Sequence, residues 1–141
     1  MTVQDPAGLL DTSTVIALGS LTADELPAES YISTVTLAEL SVGPLVATTD
    51  EDRVARQSVL QLAEAHFSPL PFDSESARAF GRVAAALRGS GRKQRARAFD
   101  ALLAATAIRH ELPIYTCNPG DFVGIDGLAV RAVTAPPIPE P

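Results

Sequence analysis

The stretch Leu9-Leu10-Asp11-Thr12-Ser13 decides the fold. Leu9 and Leu10 read as a short apolar strand that ends at an acid. Thr12 and Ser13 then offer caps for a short helix over Thr14–Leu18. The same alternation continues along the chain. Tyr31-Ile32-Ser33-Thr34-Val35 is a β-branched, aromatic-rich strand. Thr36 offers a cap for a second helix from Leu37, with Gly43-Pro44 as its stop. Asp50-Glu51-Asp52 opens a third helix that runs to about Ala65, with negative charge where the helix dipole favours it. Phe67–Phe72 reads as a short strand despite Pro69 and Pro71. Asp73, Ser74 and Glu75 open a fourth helix with Ala77, Phe80, Ala84 and Leu87 on one side, ended by Gly89-Ser90-Gly91. A fifth helix, about Ala96–His110, is apolar nearly all round and therefore buried. Ile114-Tyr115-Thr116 and Leu128–Val133 complete the strands. Strands separated by helices predict an α/β fold, a three-layer α/β/α sandwich around a central parallel sheet. Ligands of such sheets sit outside the carboxyl ends of the strands.

The 141 residues suit one domain, and 46% hydrophobic with 20% charged residues is an ordinary globular balance. The expected domain is residues 1–133. Thr134–Pro141 holds four of the 11 prolines and reads as a non-helical, disordered tail. Apolar runs such as Ala101–Ile108 are too short to span a bilayer. Met1-Thr-Val-Gln-Asp5 shows no secretory pattern, so the cytoplasm is the expected compartment. The single cysteine, Cys117, excludes an internal disulfide and a cysteine-rich zinc site.

A net charge of -6 argues at first against a nucleic-acid partner. The distribution says more than the sum. Seven of the 11 basic residues lie close together: Arg78, Arg82, Arg88, Arg92, Lys93, Arg95 and Arg97. No acid occurs from Ser76 to Phe99. This block is either a solvated helix face and loop or a patch for phosphates.

Four acids stand in unusual places. Asp11 follows an apolar strand, and Glu39 sits in Leu37-Ala-Glu-Leu-Ser-Val42. Asp100 lies near the start of the most buried helix, and Asp121 follows Cys117-Asn-Pro-Gly120. Asp11 and Asp121 lie beyond strand ends. Glu39 and Asp100 are expected in first helical turns at the same sheet edge. Each has a plainer reading: Asp11 as a helix cap, Glu39 in a capping box with Thr36, Asp121 as a turn residue. Asp100 beside Phe99 and Leu103 is costly without a partner. Four converging carboxylates would repel one another, and bound cations are what would make the cluster sensible. All-oxygen ligation suits Mg²⁺ or Mn²⁺, and His66 and His110 are not spaced as a zinc pair. Two such ions about 3.5–4 Å apart stabilise the attacking and leaving oxygens of phosphodiester hydrolysis. Arginines beside them would hold the substrate's phosphates.

Four segments together resemble the PIN domain, and more narrowly the VapC toxins of bacterial VapBC toxin–antitoxin pairs. They are Leu10-Asp-Thr-Ser13, Thr36-Leu-Ala-Glu-Leu40 with Gly43, Asp100-Ala-Leu-Leu-Ala-Ala-Thr-Ala107, and Thr116-Cys-Asn-Pro-Gly-Asp-Phe122. The resemblance covers about residues 8–133. It implies a Mg²⁺- or Mn²⁺-dependent endoribonuclease whose metal-binding acids are Asp11, Glu39, Asp100 and Asp121. Thr12, Ser13, Thr116 and Asn118 would support them by hydrogen bonding. A metal-activated water would attack an RNA phosphate in line, with an arginine assisting the charged transition state. Single-stranded loops are the expected target. The resemblance also implies a homodimer, neutralised by a VapB antitoxin whose basic C-terminal segment covers the acids. Two departures stand out. Cys117 replaces the basic residue often found between the Thr and the Asn, and Pro119-Gly120 makes a tight approach to Asp121.

Other classes fit less well. A haloacid-dehalogenase-like phosphatase needs a second Asp where Ser13 stands, and a receiver domain needs a lysine at a late strand end. No Gly-x-Ser-x-Gly turn of a serine hydrolase occurs. The alternative from another class is a non-catalytic PIN-like scaffold that binds RNA or protein.

Overall fold

The computed structural model describes residues 4–89 and 98–134. Four strands form one sheet: β1 (Ala7–Leu10), β2 (Glu29–Tyr31), β3 (Ile114–Thr116) and β4 (Val130–Ala132). Their order is β2-β1-β3-β4 and every pairing is parallel. The described helices are α1 (Thr12–Ile16), α2 (Thr34–Val46), α3 (Asp50–His66), α4 (Ser74–Gly89) and α5 (Ala98–Arg109).

Adjacent strand residues show the layers. Leu9 and Ile114 join one apolar cluster with Val83 and Leu87 of α4 and Leu103 and Ala104 of α5. Leu10 and Tyr115, one residue further on, join a second with Val15 of α1, Leu40 of α2 and Ala63 of α3. Successive strand side chains point to opposite faces, so the sheet is covered on both sides. This is the expected three-layer sandwich, with strands apolar in both directions because neither face meets water.

Boundaries differ from the sequence reading in six places. α1 is Thr12–Ile16 rather than Thr14–Leu18, because Asp11 itself is its N-cap. The second strand ends at Tyr31, where its register with β1 ends, rather than reaching Val35. Ser33, not Thr36, caps α2, accepting from Val35 N at 3.0 Å. Gly43-Pro44 does not stop α2, which ends at Val46. A proline in the last turn has little helix left to disrupt, and Arg56 Nη1 donates to the Gly43 carbonyl at 3.0 Å. Phe67–Phe72 makes only a single bridge, Ser33 to Leu70, because its prolines have no N–H to extend a ladder. The last strand, β4, occupies the middle of the expected Leu128–Val133. Of the basic block, Arg92, Lys93, Arg95 and Arg97 lie outside the described residues, as does nearly all of the proline-rich tail.

Two features tie the sheet to its surroundings. A Cβ on Gly8 would lie 2.6 Å from Tyr115 Cε1 and 3.1 Å from Pro27 Cγ, so the Tyr115 ring lies directly against β1. The Tyr115 hydroxyl donates to Asp5, which also receives Arg131 Nε of β4 at 2.9 Å. Burial, with the Asp5 hydrogen bond and charge, pushes the Tyr115 phenol up to about 12, so it stays a donor at neutral pH. At the other end, Val133 N donates to the Thr116 carbonyl and Thr134 N to Glu25 Oε1. α5 closes with Glu111 in the left-handed region (φ 55°), Leu112 N bonding Ala107 O and Glu111 N bonding Ile108 O. That is a Schellman ending with glutamate where glycine is usual.

Gly8→Ala is expected to lower stability by about 1–3 kcal/mol, the range for overpacking a filled core, read as a lower urea midpoint at unchanged m-value. Glu111→Gly should raise it by roughly 0.5–1 kcal/mol, relief of left-handed strain less the added unfolded-chain entropy. An unchanged midpoint in either variant would contradict the packing described.

Candidate active site

Each candidate acid is the neighbour of a buried apolar anchor. Asp11 follows Leu10, Glu39 precedes Leu40, Asp100 precedes Ala101 and Asp121 precedes Phe122, all four anchors being buried. Leu10 and Leu40 belong to one core cluster, Ala101 and Phe122 to the other. Core packing thus sets the backbone from which every carboxylate projects.

Asp11 stands at the carboxyl end of β1 and is only 4% exposed. Three donors converge on its Oδ1: Ser13 Oγ at 2.7 Å, Thr14 N at 2.9 Å and Thr14 Oγ1 at 2.9 Å. Thr14 Oγ1 is also 2.8 Å from the Tyr115 carbonyl, so its one proton serves one acceptor at a time. Oδ2 accepts none of these bonds. The helix-cap reading of Asp11 is therefore correct, and it leaves one carboxylate oxygen for another task.

Glu39 lies in the second turn of α2, not the first, and makes no capping box with Thr36. Thr12 Oγ1 donates to its Oε1 at 2.6 Å, and Thr12 Oγ1 is 3.2 Å from Thr36 Oγ1. Thr12 follows Asp11 directly, so this bond draws Glu39 to the end of β1. Burial pushes the Glu39 carboxyl above its ordinary range; the Thr12 hydrogen bond pulls it back, and the Asp11 charge pushes it up again. The two carboxylates sit in each other's field.

The end of β3 joins the same edge. Ser13 Oγ, while donating to Asp11, accepts from Cys117 N at 3.2 Å. Thr116 Oγ1 accepts from Asn118 N at 2.9 Å, and Asp121 N donates to the Asn118 carbonyl at 3.0 Å within a 3-10 turn, Pro119–Phe122. Asp121 is thus in a helical turn rather than a bare loop. Asp100 is in the first turn of α5, half-buried, on a helix that packs against α2 and against the Pro119–Phe122 turn.

The structure brings Asp11 and Glu39 together through Thr12, and links the Asp11 and Asp121 loops through Ser13. Among the described residues no three His, Cys, Asp or Glu side chains form a group arranged to hold a metal ion. The Asp11–Glu39 pair still fits a hard cation: its donors are all oxygen, each side chain has one oxygen held by protein donors, and their mutual repulsion is what a cation would relieve.

The basic residues divide by position. Arg78 and Arg82 share a surface hollow with Glu75, Arg109 and Glu111. Arg109 Nε is 3.0 Å from Glu75 and 3.4 Å from Asp73. Arg109 and Asp100 are at opposite ends of α5, about 13 Å apart along its axis at 1.5 Å per residue. Arg88 is at the other end of α4, in its last turn. Sequence reasoning missed Thr14 and Thr36, both fully buried hydroxyls beside the acids. The available signal was the unbroken hydroxyl run Thr12-Ser13-Thr14 behind an acid.

The PIN domain family matches residues 9–127. Ribonuclease VapC5 of Mycobacterium tuberculosis is 39% identical over 132 residues, 92% of this chain and 95% of that protein. The chain is a PIN-domain protein of the VapC family. Ribonuclease VapC1 of Rickettsia felis is 32% identical over 133 residues, 90% of this chain and 96% of that one. Among solved structures, VapBC-5 of Mycobacterium tuberculosis, a member of the VapBC family of toxin–antitoxin systems, aligns with a TM-score of 0.78 at 35% identity. That alignment covers 91% of this chain and 99% of that one. The fold expected of a VapC-family chain is the fold observed.

The raised Glu39 carboxyl yields a signed expectation. An acid held above its unfolded value contributes stability at low pH that is lost as pH rises through the folded value. At neutral pH the metal-free VapC-family chain therefore carries a cost at Glu39. Glu39→Gln should raise the Tm of metal-free protein at pH 7 while lowering nuclease activity more than roughly a hundredfold, beyond the loss typical of a supporting residue. A fall in Tm would mark Glu39 as a structural group instead.

Proposed function

We propose that this chain is the toxin ribonuclease of a VapBC-type pair, a Mg²⁺- or Mn²⁺-dependent endoribonuclease that hydrolyses RNA phosphodiester bonds in the cytoplasm. One observation carries the reading. Asp11 and Glu39 are drawn together at the carboxyl edge of a parallel sheet, each with one oxygen anchored by donors. A purely structural site would separate two like charges. The names of the relatives support the same reading, since they are ribonucleases and members of toxin–antitoxin systems.

Asp11 and Glu39 would hold the cation, with Asp100 and Asp121 completing the set. When bound, it supplies Lewis acidity toward water and the scissile phosphate. The chain's own residues do the rest. Ser13 and Thr14 hold Asp11 in one orientation. Thr12 holds Glu39. Thr116 and Asn118 shape the turn that carries Asp121. Arg88, with Arg92, Lys93, Arg95 and Arg97, would draw RNA phosphates toward the edge; Arg78 and Arg82 would extend that attraction along α4. The partners are a VapB-type antitoxin with a basic segment complementary to the acids and a second copy of the chain. No helix among the described residues is long and apolar enough to cross a membrane.

Purified chain incubated with mixed cellular RNA should cleave it with Mg²⁺ or Mn²⁺ and stop in EDTA. Asp100→Asn should be inactive while folded. Cleavage persisting in EDTA would overturn the metal reading, and no cleavage of any RNA would favour a binding scaffold. Co-expression with the product of the adjacent reading frame should yield a stable complex, and separate elution would count against the antitoxin.

A further inference from the structure

The geometry points to Thr36 as a positioning residue for Glu39, acting through the Thr12 hydroxyl. Thr12 Oγ1 has one proton, and it goes to Glu39 Oε1 at 2.6 Å. The 3.2 Å contact between Thr12 Oγ1 and Thr36 Oγ1 therefore has Thr36 as its donor. Thr36 is fully buried, and no other acceptor for its hydroxyl occurs among the described residues. The result is a one-way chain, Thr36 to Thr12 to Glu39.

Position along the helix makes the chain rigid. Thr36 and Glu39 are three residues apart on α2, hence on one helix face. Thr12 comes from the opposite wall, at the start of α1. A donation from Thr36 occupies a lone pair of Thr12 and turns its proton toward Glu39. It also polarises that bond, since hydrogen bonds in series strengthen one another. Glu39 is a long side chain with several rotamers of similar energy. Fixing Oε1 selects one of them and presents Oε2 in a single direction. Thr36 needs no contact with cation or substrate to do this. Its role rests on the proposed metal site, because presenting Oε2 matters only if something binds there.

The test uses the full chain and Mn²⁺ alone, followed by isothermal titration, with cleavage rates measured in parallel. Thr36→Val keeps the shape and removes the donor. It should weaken Mn²⁺ binding about tenfold, the lower end of the range for residues that orient metal ligands, with Tm unchanged. Thr36→Ser should restore wild-type affinity, which a role in packing alone would not require. Thr36→Cys, a weaker donor of similar volume, should fall between and serves if the valine variant folds poorly. Thr12→Val with Thr36→Val should be no worse than Thr12→Val alone. Wild-type affinity in Thr36→Val, failed rescue by serine, or additive losses in the double variant would overturn the relay. If wild type binds no Mn²⁺, or Glu39→Gln binds it as tightly, the metal site itself fails and the relay with it.

Discussion

A buried carboxylate is tolerated only where donors replace the water it has lost. Asp11 imposes that condition on the whole carboxyl edge of the sheet. Its Oδ1 takes two bonds from Thr14 and one from Ser13. Those donors are themselves engaged: Thr14 Oγ1 approaches the Tyr115 carbonyl, and Ser13 Oγ receives Cys117 N. The solvation of one acid therefore holds the ends of β1 and β3 in register. Asp11 N adds a backbone bond to the Tyr115 carbonyl at 3.0 Å. Moving Asp11 would disturb both loops at once.

Glu39 shows the opposite economy. Its single hydroxyl donor does not cancel the effects of burial and of Asp11 nearby. The chain thus keeps an acid where its own interactions disfavour the charged form. Such local conflict is the ordinary signature of a site shaped for something other than stability. The apolar core shows no such conflict. Leu9, Leu10, Ile32 and Ile114 are fully buried, and α5 contributes a row of alanines that lets it pack closely.

Much of this was legible in the residues. The parallel sheet followed from apolar runs separated by helical stretches; α3 and α4 fell close to their expected bounds because their periodicity is long and regular, and α5 because its apolar run is long and nearly unbroken. Short elements were less legible. Ser33, Thr34 and Thr36 are all cap-type residues, and only the three-residue register with β1 decides that Ser33 is the cap. Thr36 was then available for a different task that no local pattern encodes, because its partner Thr12 is 24 residues away. The basic block illustrates another limit. Nearness in sequence is not nearness to an edge: Arg88 is ten residues beyond Arg78 on α4, about 15 Å along the helix. Where the Asp100 and Asp121 side chains point is likewise something that spacing alone does not specify.

The chain enters and leaves the sheet at different ends. Gln4 and Asp5 lead into the amino end of β1, where Asp5 meets Tyr115 and Arg131. Thr134 leaves from the carboxyl end of β4, one residue beyond the Val133–Thr116 bond. Thr116 belongs to the acidic edge, so a spectroscopic label carried at Thr134 would sit beside that edge. One carried at Gln4 would sit a full strand length away. The polarity of a parallel sheet thus also decides which of these two positions reports on the carboxylates.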